Sequence, residues 1–276
     1  MRPLDCQGEW LRARTTGRLE PAAHHLGSGP RSRRRPTLSG PKTHNSRWLL
    51  GVDGCRGGWL VVRGRLSASL DWQDLAWSLE GDGTAFVDGG LVAIDIPIGL
   101  SSVGPRVCDQ LARQRLGPRR SSVFPAPLRQ TLEATSYAQA CALSQAASGR
   151  KLSQQAYNLL GKIRQIDRLL HHNPERIARV HEVHPELAFA QWNGGEPMAQ
   201  AKKTAAGAAQ RLALMEPVFS ELVAEIRSAV PRSLLASDDI LDAIACLWSA
   251  RRIALQQALV LGDERDLEGL WMRISA

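Results

Sequence analysis

Residues 48–62 read WLLGVDGCRGGWLVV, and this stretch predicts the beginning of a β-sheet. The apolar run from Trp48 to Val52 ends in Asp53, and a second apolar run follows from Trp59 to Val62. Glycine-rich segments between two such runs are typical of turns, so the pattern predicts strand, turn and strand. Asp53 is therefore expected at a strand end, where a carboxylate costs stability unless a cation compensates its charge.

Three further acidic clusters occupy comparable positions along the chain. Asp95 lies in LVAIDIPIGL, Glu182 lies in VHEVHPE, and SDDILDA contains Asp238, Asp239 and Asp242. A spacing of three places Asp239 and Asp242 on one face of a predicted helix, whereas Asp238 is expected to cap that helix or face solvent. Several converging carboxylates are usually compensated by a hard divalent cation, so the sequence predicts a shared site for Mg²⁺ or Mn²⁺.

The remaining hydrophobic pattern predicts an α/β fold with a mixed sheet. Residues 91–96 are typical of a strand covered on both faces. Residues 105–170 are largely helical in pattern, with a loop at 119–127, and form an expected helical insertion after the Asp95 strand. Further predicted elements are a third strand at 66–70, a short helix at 74–79, a strand at 178–190, a long helix at 203–230, a helix that is capped by Ser237 and runs to about residue 261, and an edge strand or short helix at 268–274.

Composition indicates one soluble domain of ordinary size. The chain has 276 residues and a mean hydropathy of -0.22, and no apolar run approaches the roughly 18 residues of a membrane span. The first residues lack the apolar region of a secretory signal, so a cytoplasmic location is expected. Five scattered cysteines without a CxxC motif indicate reduced, mostly buried thiols rather than disulfides or a zinc site.

The positive charge of the chain is concentrated in residues 1–47. This segment holds ten basic and three acidic residues, so it accounts for +7 of the net charge of +8. It is also rich in Pro, Gly and Ser, which predicts a disordered basic tail at 1–46 and a folded domain at 47–276. The tail is either a basic arm that holds nucleic acid or an extension without function.

Seven sequence blocks resemble, in the same order, those of a bacterial and archaeal family described as predicted RNase H-like nucleases. They are GVDGCRGGW, AIDIPIGL, RVCDQLARQRLG, SSVFPAP, EVHPELAF, AKKTAAG and DDILDAIA, and together they span about residues 48–260. The resemblance implies an RNase H-like domain, with a mixed sheet flanked by helices. It also implies that the metal ligands and catalytic residues are Asp53, Asp95, Glu182, Asp239 and Asp242. Two divalent ions about 4 Å apart at such a site would activate a water molecule and stabilise the leaving oxygen of a phosphodiester.

Basic and hydroxyl side chains near these blocks are candidates for holding the phosphate groups of a nucleic-acid substrate. They are Arg56, Arg106, Arg113, Ser122, Lys202 and Lys203. Each basic residue also has an alternative interpretation in which it contacts no substrate. Arg56 would then belong to a hairpin turn, the other arginines to a solvent-exposed ion-pair face, and the lysines to a solvent-exposed helix end. His184 is either a metal ligand or proton shuttle, or a histidine that is hydrogen-bonded within the fold.

Two other functions remain compatible with the sequence. An inactive RNase H-like module would bind nucleic acid or a protein partner, although the near-neutral charge outside the tail does not favour duplex binding. An actin-like ATPase would need Gly-rich loops around a nucleotide, and no second phosphate-binding loop follows the one after Asp53. The type of nucleic acid and the oligomeric state are left open, and no membrane association is expected.

Overall fold

A five-stranded mixed β-sheet forms the centre of the computed structural model, which describes residues 47–171 and 173–276. The strands are β1 (Leu49–Cys55), β2 (Gly58–Leu66), β3 (Trp72–Glu80), β4 (Leu91–Ile94) and β5 (Val180–Glu182), and their order in the sheet is β3-β2-β1-β4-β5. Strand β2 is antiparallel to both of its neighbours, β1 and β3, whereas β1, β4 and β5 are parallel. The predicted disordered tail at 1–46 lies outside the described residues.

Helices follow strands β3, β4 and β5. Four of the described α-helices and both described 3-10 helices lie between β4 and β5, as predicted for the helical insertion. The α-helices are α1 (Thr84–Val87), α2 (Val107–Leu116), α3 (Tyr137–Ser148), α4 (Gln154–His171), α5 (Pro174–Ile177), α6 (Pro185–Trp192), α7 (Ala205–Ala229) and α8 (Ser237–Ala254). Two 3-10 helices occupy Gly117–Ser122 and Arg129–Glu133, and an antiparallel ribbon is formed by β6 (Val260–Arg265) and β7 (Trp271–Ser275).

The two faces of the sheet are covered by different helices, because side chains alternate between the faces along each strand. Leu60 and Ala93 pack in one core with α7 and α8. Val52 and Ile94 pack in a second core with α3 and α4. A smaller core joins α2, α6 and β7. The described part of the chain is thus a mixed α/β fold in which helices flank the sheet on both sides.

Helix α8 lies directly on β1 at Gly51. A Cβ atom at this position would lie 2.1 Å from the backbone N of Leu247 and 2.2 Å from the backbone O of Ala243. Only glycine permits such an approach of a helix backbone to a strand. This contact fixes the first turns of α8 beside the end of β1, where Asp53 lies.

Strand β3 corrects two predictions, the third strand at 66–70 and the short helix at 74–79. Residues 67–71 form a turn instead, in which the backbone N of Ser67 donates to Asp71 O (2.9 Å) and Leu70 has a φ of 67°. The strand lies at Trp72–Glu80 and pairs with β2. Its Leu, Ala and Glu content favours a helix locally, and pairing with a neighbouring strand overrides that preference.

The predicted strand at 178–190 is wrong beyond Glu182. Pro185 occupies the first turn of α6, a position that suits its fixed φ and missing N–H, so the chain changes from strand to helix within three residues. The element predicted at 268–274 as an edge strand or short helix is a strand, but it begins at Trp271 and pairs with β6 in a separate two-stranded sheet.

The limits of α8 also differ from the prediction. The N-cap is Ala236 rather than Ser237, and the helix ends at Ala254 rather than near residue 261. The backbone N–H of Ala236 donates to Asp239 Oδ2 (2.9 Å), so Asp239, not Asp238, provides the capping carboxylate.

Buried thiols agree with the prediction, because Cys55, Cys108, Cys141 and Cys246 are free and buried. Within 47–171 and 173–276, no helix has the length and apolar character needed to cross a membrane.

Candidate active site

Asp53 and Asp95 lie side by side at the carboxyl ends of two neighbouring parallel strands. The backbone N–H of Asp95 donates to Val52 O (2.9 Å), which continues the pairing of β1 with β4. Asp53 is paired with Leu60, which belongs to the core on the α8 side of the sheet. Both carboxylates are therefore expected on the face that α8 covers.

Helix α8 supplies two further carboxylates from its first turns. Asp239 accepts the capping hydrogen bond described above and is half-buried. Asp242 is buried, its Oδ2 accepts a hydrogen bond from Lys202 Nζ, and its Oδ1 has no hydrogen-bond partner among the described residues. An unpaired buried oxygen is costly, so this atom is suited to receive a ligand.

Burial and mutual repulsion act on these carboxyls together. Burial raises the pKa of Asp53 well above its usual value, and the charges of Asp95 and Asp242 raise it further. Burial followed by the charge of Asp242 raises the pKa of Asp95 to about 8. Burial also raises the pKa of Asp242 to about 6, against the opposing effect of Lys202. The four acidic groups are therefore close enough to interact, and the negative charge that they carry when ionised is compensated only in part.

Lys202 is the cation that compensates this charge in part. Its Nζ pairs with Asp242 and lies 4.0 Å from Asp238 Oδ2, so Asp238 is half-buried at the margin of the cluster. Burial tends to lower the pKa of Lys202, but the charge and hydrogen bond of Asp242 outweigh it and raise that pKa. Lys202 is thus the cation that forms ion pairs with these carboxylates, while Arg56 and Lys162 act on Asp239 through their charge without contact.

Glu182 belongs to a separate cluster. The strand register aligns it with Val52 and Ile94, whose side chains face the opposite core. Both of its oxygens accept hydrogen bonds from Arg106 (2.7 Å each), and Oε2 also accepts from the backbone N of Ile98 (2.7 Å). Arg106 also pairs with Asp109, so the charges of this buried triad are compensated within the triad. Glu182 influences the pKa of Asp95 through its charge but has no oxygen free of a hydrogen bond.

The candidate phosphate-binding residues fall into three groups. Arg106, Arg113 and Ser122 are engaged within the fold: Arg113 donates to Val123 O (2.5 Å) and Ser122 Oγ donates to Arg119 O (2.7 Å). Lys202 lies within the carboxylate cluster. Arg56 is exposed in the β1–β2 turn and lowers the pKa of Asp239 through its charge, against the dominant effect of burial. Lys203 is exposed next to Lys202.

Two residues link the carboxylate cluster to α6. His184 Nε2 lies 3.3 Å from Ser122 O, while its Nδ1 is buried with no partner among the described residues. Burial lowers the pKa of His184, so the ring is neutral near pH 7. Glu186, which the sequence analysis does not single out, is buried against Arg211, and its charge raises the pKa of Asp242 after the effect of burial. The sequence feature that points to Glu186 is its position in the block EVHPELAF, two residues after His184.

The chemistry of this donor set fits a hard divalent cation. Asp53, Asp95, Asp239 and Asp242 offer carboxylate oxygens, which Mg²⁺ and Mn²⁺ prefer, and Asp242 Oδ1 lacks a partner in the described part of the chain. Within 47–171 and 173–276, however, no three His, Cys, Asp or Glu side chains are already spaced to hold a metal ion. Binding an ion would therefore require these side chains to rearrange, with Lys202 withdrawing from Asp242.

We expect the stability of the metal-free protein to fall as the pH rises from about 6.5 to 8. Asp95, with a pKa of about 8, retains in the folded chain a proton that an unfolded chain has already released. The folded state binds more protons, so raising the pH lowers the free energy of unfolding, by about 1 to 2 kcal/mol for a group such as Asp95. The histidines His181 and His184 oppose this fall by up to about 0.4 kcal/mol each, because burial keeps them neutral in the folded chain whereas an unfolded chain releases their protons near pH 6.5.

Urea denaturation in EDTA at pH 6.5, 7.2 and 8 would measure this fall, and Asp95→Asn should flatten it. A wild-type stability that rises with pH over this range would contradict the arrangement of buried carboxyls.

The fold and the site together define a mixed α/β protein with a carboxylate-rich site at the ends of adjacent parallel strands. The chain belongs to the family described as "Protein of unknown function (DUF429)", whose family model matches residues 51–266. That range contains every carboxylate of the cluster. No curated protein and no solved structure matches the chain.

Proposed function

We propose that the chain is a metal-dependent phosphodiesterase with an RNase H-like fold that acts on nucleic acid. The observation that supports this most is the convergence of Asp53, Asp95, Asp239 and Asp242 on one side of the sheet, compensated by Lys202 alone among the described cations in contact with them. Burying these carboxyl groups together costs stability in the metal-free chain, because their joint ionisation is disfavoured, and a bound Mg²⁺ or Mn²⁺ would remove that cost.

Asp53, Asp95 and Asp242 are the proposed ligands, with Asp239 at the margin of the site. A bound divalent ion would supply Lewis-acid activation of water and stabilisation of a leaving oxygen. Asp95, which holds a proton at neutral pH in the metal-free chain, would release it on metal binding. Glu182 is left out of this ligand set, because Arg106 engages both of its oxygens.

Cationic side chains near the cluster suit a phosphate-bearing substrate. Lys202, once it withdraws from Asp242, would place an ammonium group next to the reacting phosphate, where it stabilises developing negative charge. Arg56, in the turn that follows Asp53, is exposed and lies close enough to act on Asp239 through its charge. Both positions favour contact with a phosphate group rather than recognition of a base.

A second candidate, an inactive RNase H-like module that binds nucleic acid or protein, is favoured by two observations. Lys202 already pairs with Asp242, and the described residues contain no ready-made group of three metal ligands. Such a module would bind its partner without any response to divalent cations.

A cation and substrate screen of the wild-type protein would separate the two candidates. Millimolar Mn²⁺ should raise the melting temperature, since a ligand at 100 times its dissociation constant stabilises by about 2.7 kcal/mol. Mn²⁺ or Mg²⁺ should also support cleavage of at least one substrate among single-stranded, duplex and branched DNA, RNA and nucleotides. EDTA should abolish both effects. If neither cation stabilises the protein and no substrate is cleaved, the metal-dependent activity is excluded.

A further inference from the structure

A cavity of about 470 Å³ lies at the edge of the sheet, between β5, the end of α8 and the β6–β7 ribbon. The ribbon is a separate two-stranded sheet that is bridged to the chain just after β5, between Val183 and Ser275. None of Asp53, Asp95, Asp239 and Asp242 lines this cavity. It is therefore distinct from the carboxylate site, and its volume lies within the roughly 300–1,000 Å³ of small-molecule sites.

Strand alternation gives the cavity a cationic wall. Trp271, Arg273 and Ser275 line the cavity, whereas Met272 and Ile274 between them pack into the core beneath β7. The guanidinium of Arg273 lies 3.6 Å from the ring centre of Trp271, and that of Arg265 lies 3.7 Å from the same centre. Two guanidinium groups at these distances occupy opposite faces of the ring. Trp271 thus holds Arg273 against the cavity wall in a fixed orientation.

The charge of Arg273 has no counter-ion among the described residues. No described carboxylate forms an ion pair with it, and its Nε is buried without a hydrogen-bond partner among the described residues. His181, which also lines the cavity, lies close enough for the positive charge of Arg273 to lower its pKa, after the larger effect of burial. Glu182 reaches the cavity too, but Arg106 holds both of its oxygens. The cavity therefore presents unneutralised positive charge.

The remaining lining is mostly apolar. Ile177, Val180 and Ile253 contribute aliphatic side chains, opposite the wall that carries Arg273. Burying an apolar body there would be favourable at about 25 cal/mol per Å² of surface removed from water.

We propose that this cavity binds a small organic anion, in which a carboxylate or phosphate group on an apolar body pairs with Arg273. The apolar body lies against the aliphatic lining, and the anionic group accepts hydrogen bonds from the guanidinium, which is suited to planar, two-pronged contact with either anion. This assignment does not depend on the proposed phosphodiesterase activity, because none of the proposed metal ligands lines the cavity.

Matched pairs of probes would test the assignment by isothermal titration calorimetry on the full-length protein. The anions are phenylacetate, 3-phenylpropionate and phenyl phosphate, and the neutral counterparts are phenylacetamide, 3-phenylpropionamide and phenol. At least one anion should bind with a dissociation constant below about 1 mM, and its neutral counterpart should bind at least tenfold more weakly.

Variants of the two stacked arginines provide the control. Arg273→Gln should weaken binding of the anion at least tenfold, and Arg273→Lys, which keeps the charge, should retain part of the affinity. Arg265→Gln should leave the affinity unchanged, because Arg265 stacks on the same Trp271 but is exposed, donates to Gly269 O and does not line the cavity. Absence of binding by all three anions, equal binding of the neutral probes, or equal loss in the Arg265 variant would each overturn the assignment.

Discussion

Replacing Asp53 by Asn is expected to stabilise the metal-free protein and to abolish Mn²⁺-dependent stabilisation and cleavage. Burial and neighbouring carboxylates raise the pKa of Asp53, so its ionised form is disfavoured in the folded chain and a neutral isostere relieves that cost at neutral pH. Asn keeps an oxygen in the place of Oδ1, which accepts from Gly54 N (2.8 Å), so the turn is retained. A bound cation reverses the sign of the effect, because it stabilises only a site with its full set of ligands.

Melting curves with EDTA and with millimolar Mn²⁺ would measure both effects. The metal-free melting temperature of the variant should rise, by about 2 to 4 °C for each kcal/mol gained, and cleavage should fall more than about 100-fold. Asp74→Asn is the matched control, because Asp74 is half-exposed on β3 in an ion pair with Arg65, and its charge is not among those that act on the cluster. It should respond to Mn²⁺ as the wild type does. An Asp53 variant that keeps the Mn²⁺ shift would remove Asp53 from the ligand set.

Replacing Gly51 by Ala is expected to destabilise the protein by about 3 kcal/mol or more. The added Cβ would lie 2.1 Å and 2.2 Å from backbone atoms of α8, and no side-chain rotation can relieve a contact with backbone. The helix would have to move away from β1, and with it the carboxylates of Asp239 and Asp242. Urea denaturation would measure the loss of stability, and the Mn²⁺-dependent shift in melting temperature should shrink in parallel.

Gly161→Ala is the control for this substitution. Gly161 is exposed within α4, and a Cβ there meets no atom within 4 Å. Because alanine favours helix over glycine, this variant should gain about 0.5 to 1 kcal/mol. If Gly51→Ala changed stability by less than about 1 kcal/mol, the close packing of α8 on β1 would be refuted.

The sheet and the acidic strand ends were predictable because local patterns encode them. The glycine-rich turn after Asp53 and the apolar run before Asp95 mark the ends of β1 and β4 regardless of the rest of the chain. Glu182 shows the limit of this reasoning. Its face of the sheet depends on which residue it pairs with, and a shift of one residue would reverse that face. A single sequence does not contain that register.

The details of α8 and Lys202 depend on tertiary structure in a similar way. The helix start differs by one residue from the prediction, and that offset transfers the capping role to Asp239. Lys202 precedes α7 in sequence, and only the packing of that segment against α8 brings its ammonium group to Asp242. In β3, likewise, pairing with β2 overrides a composition that favours a helix.

The way the sheet ends on each side has a consequence for self-association. A free strand edge presents unpaired N–H and C=O groups to which another chain can add, so long flat edges promote aggregation. Strand β5 is only three residues long, and the residue that follows it, Val183, pairs with Ser275. At the other edge, β3 is interrupted where the pairing with β2 shifts register and Asp74 adopts a φ of 53°. Neither border of the sheet offers a regular template, which opposes edge-to-edge polymerisation of the folded chain.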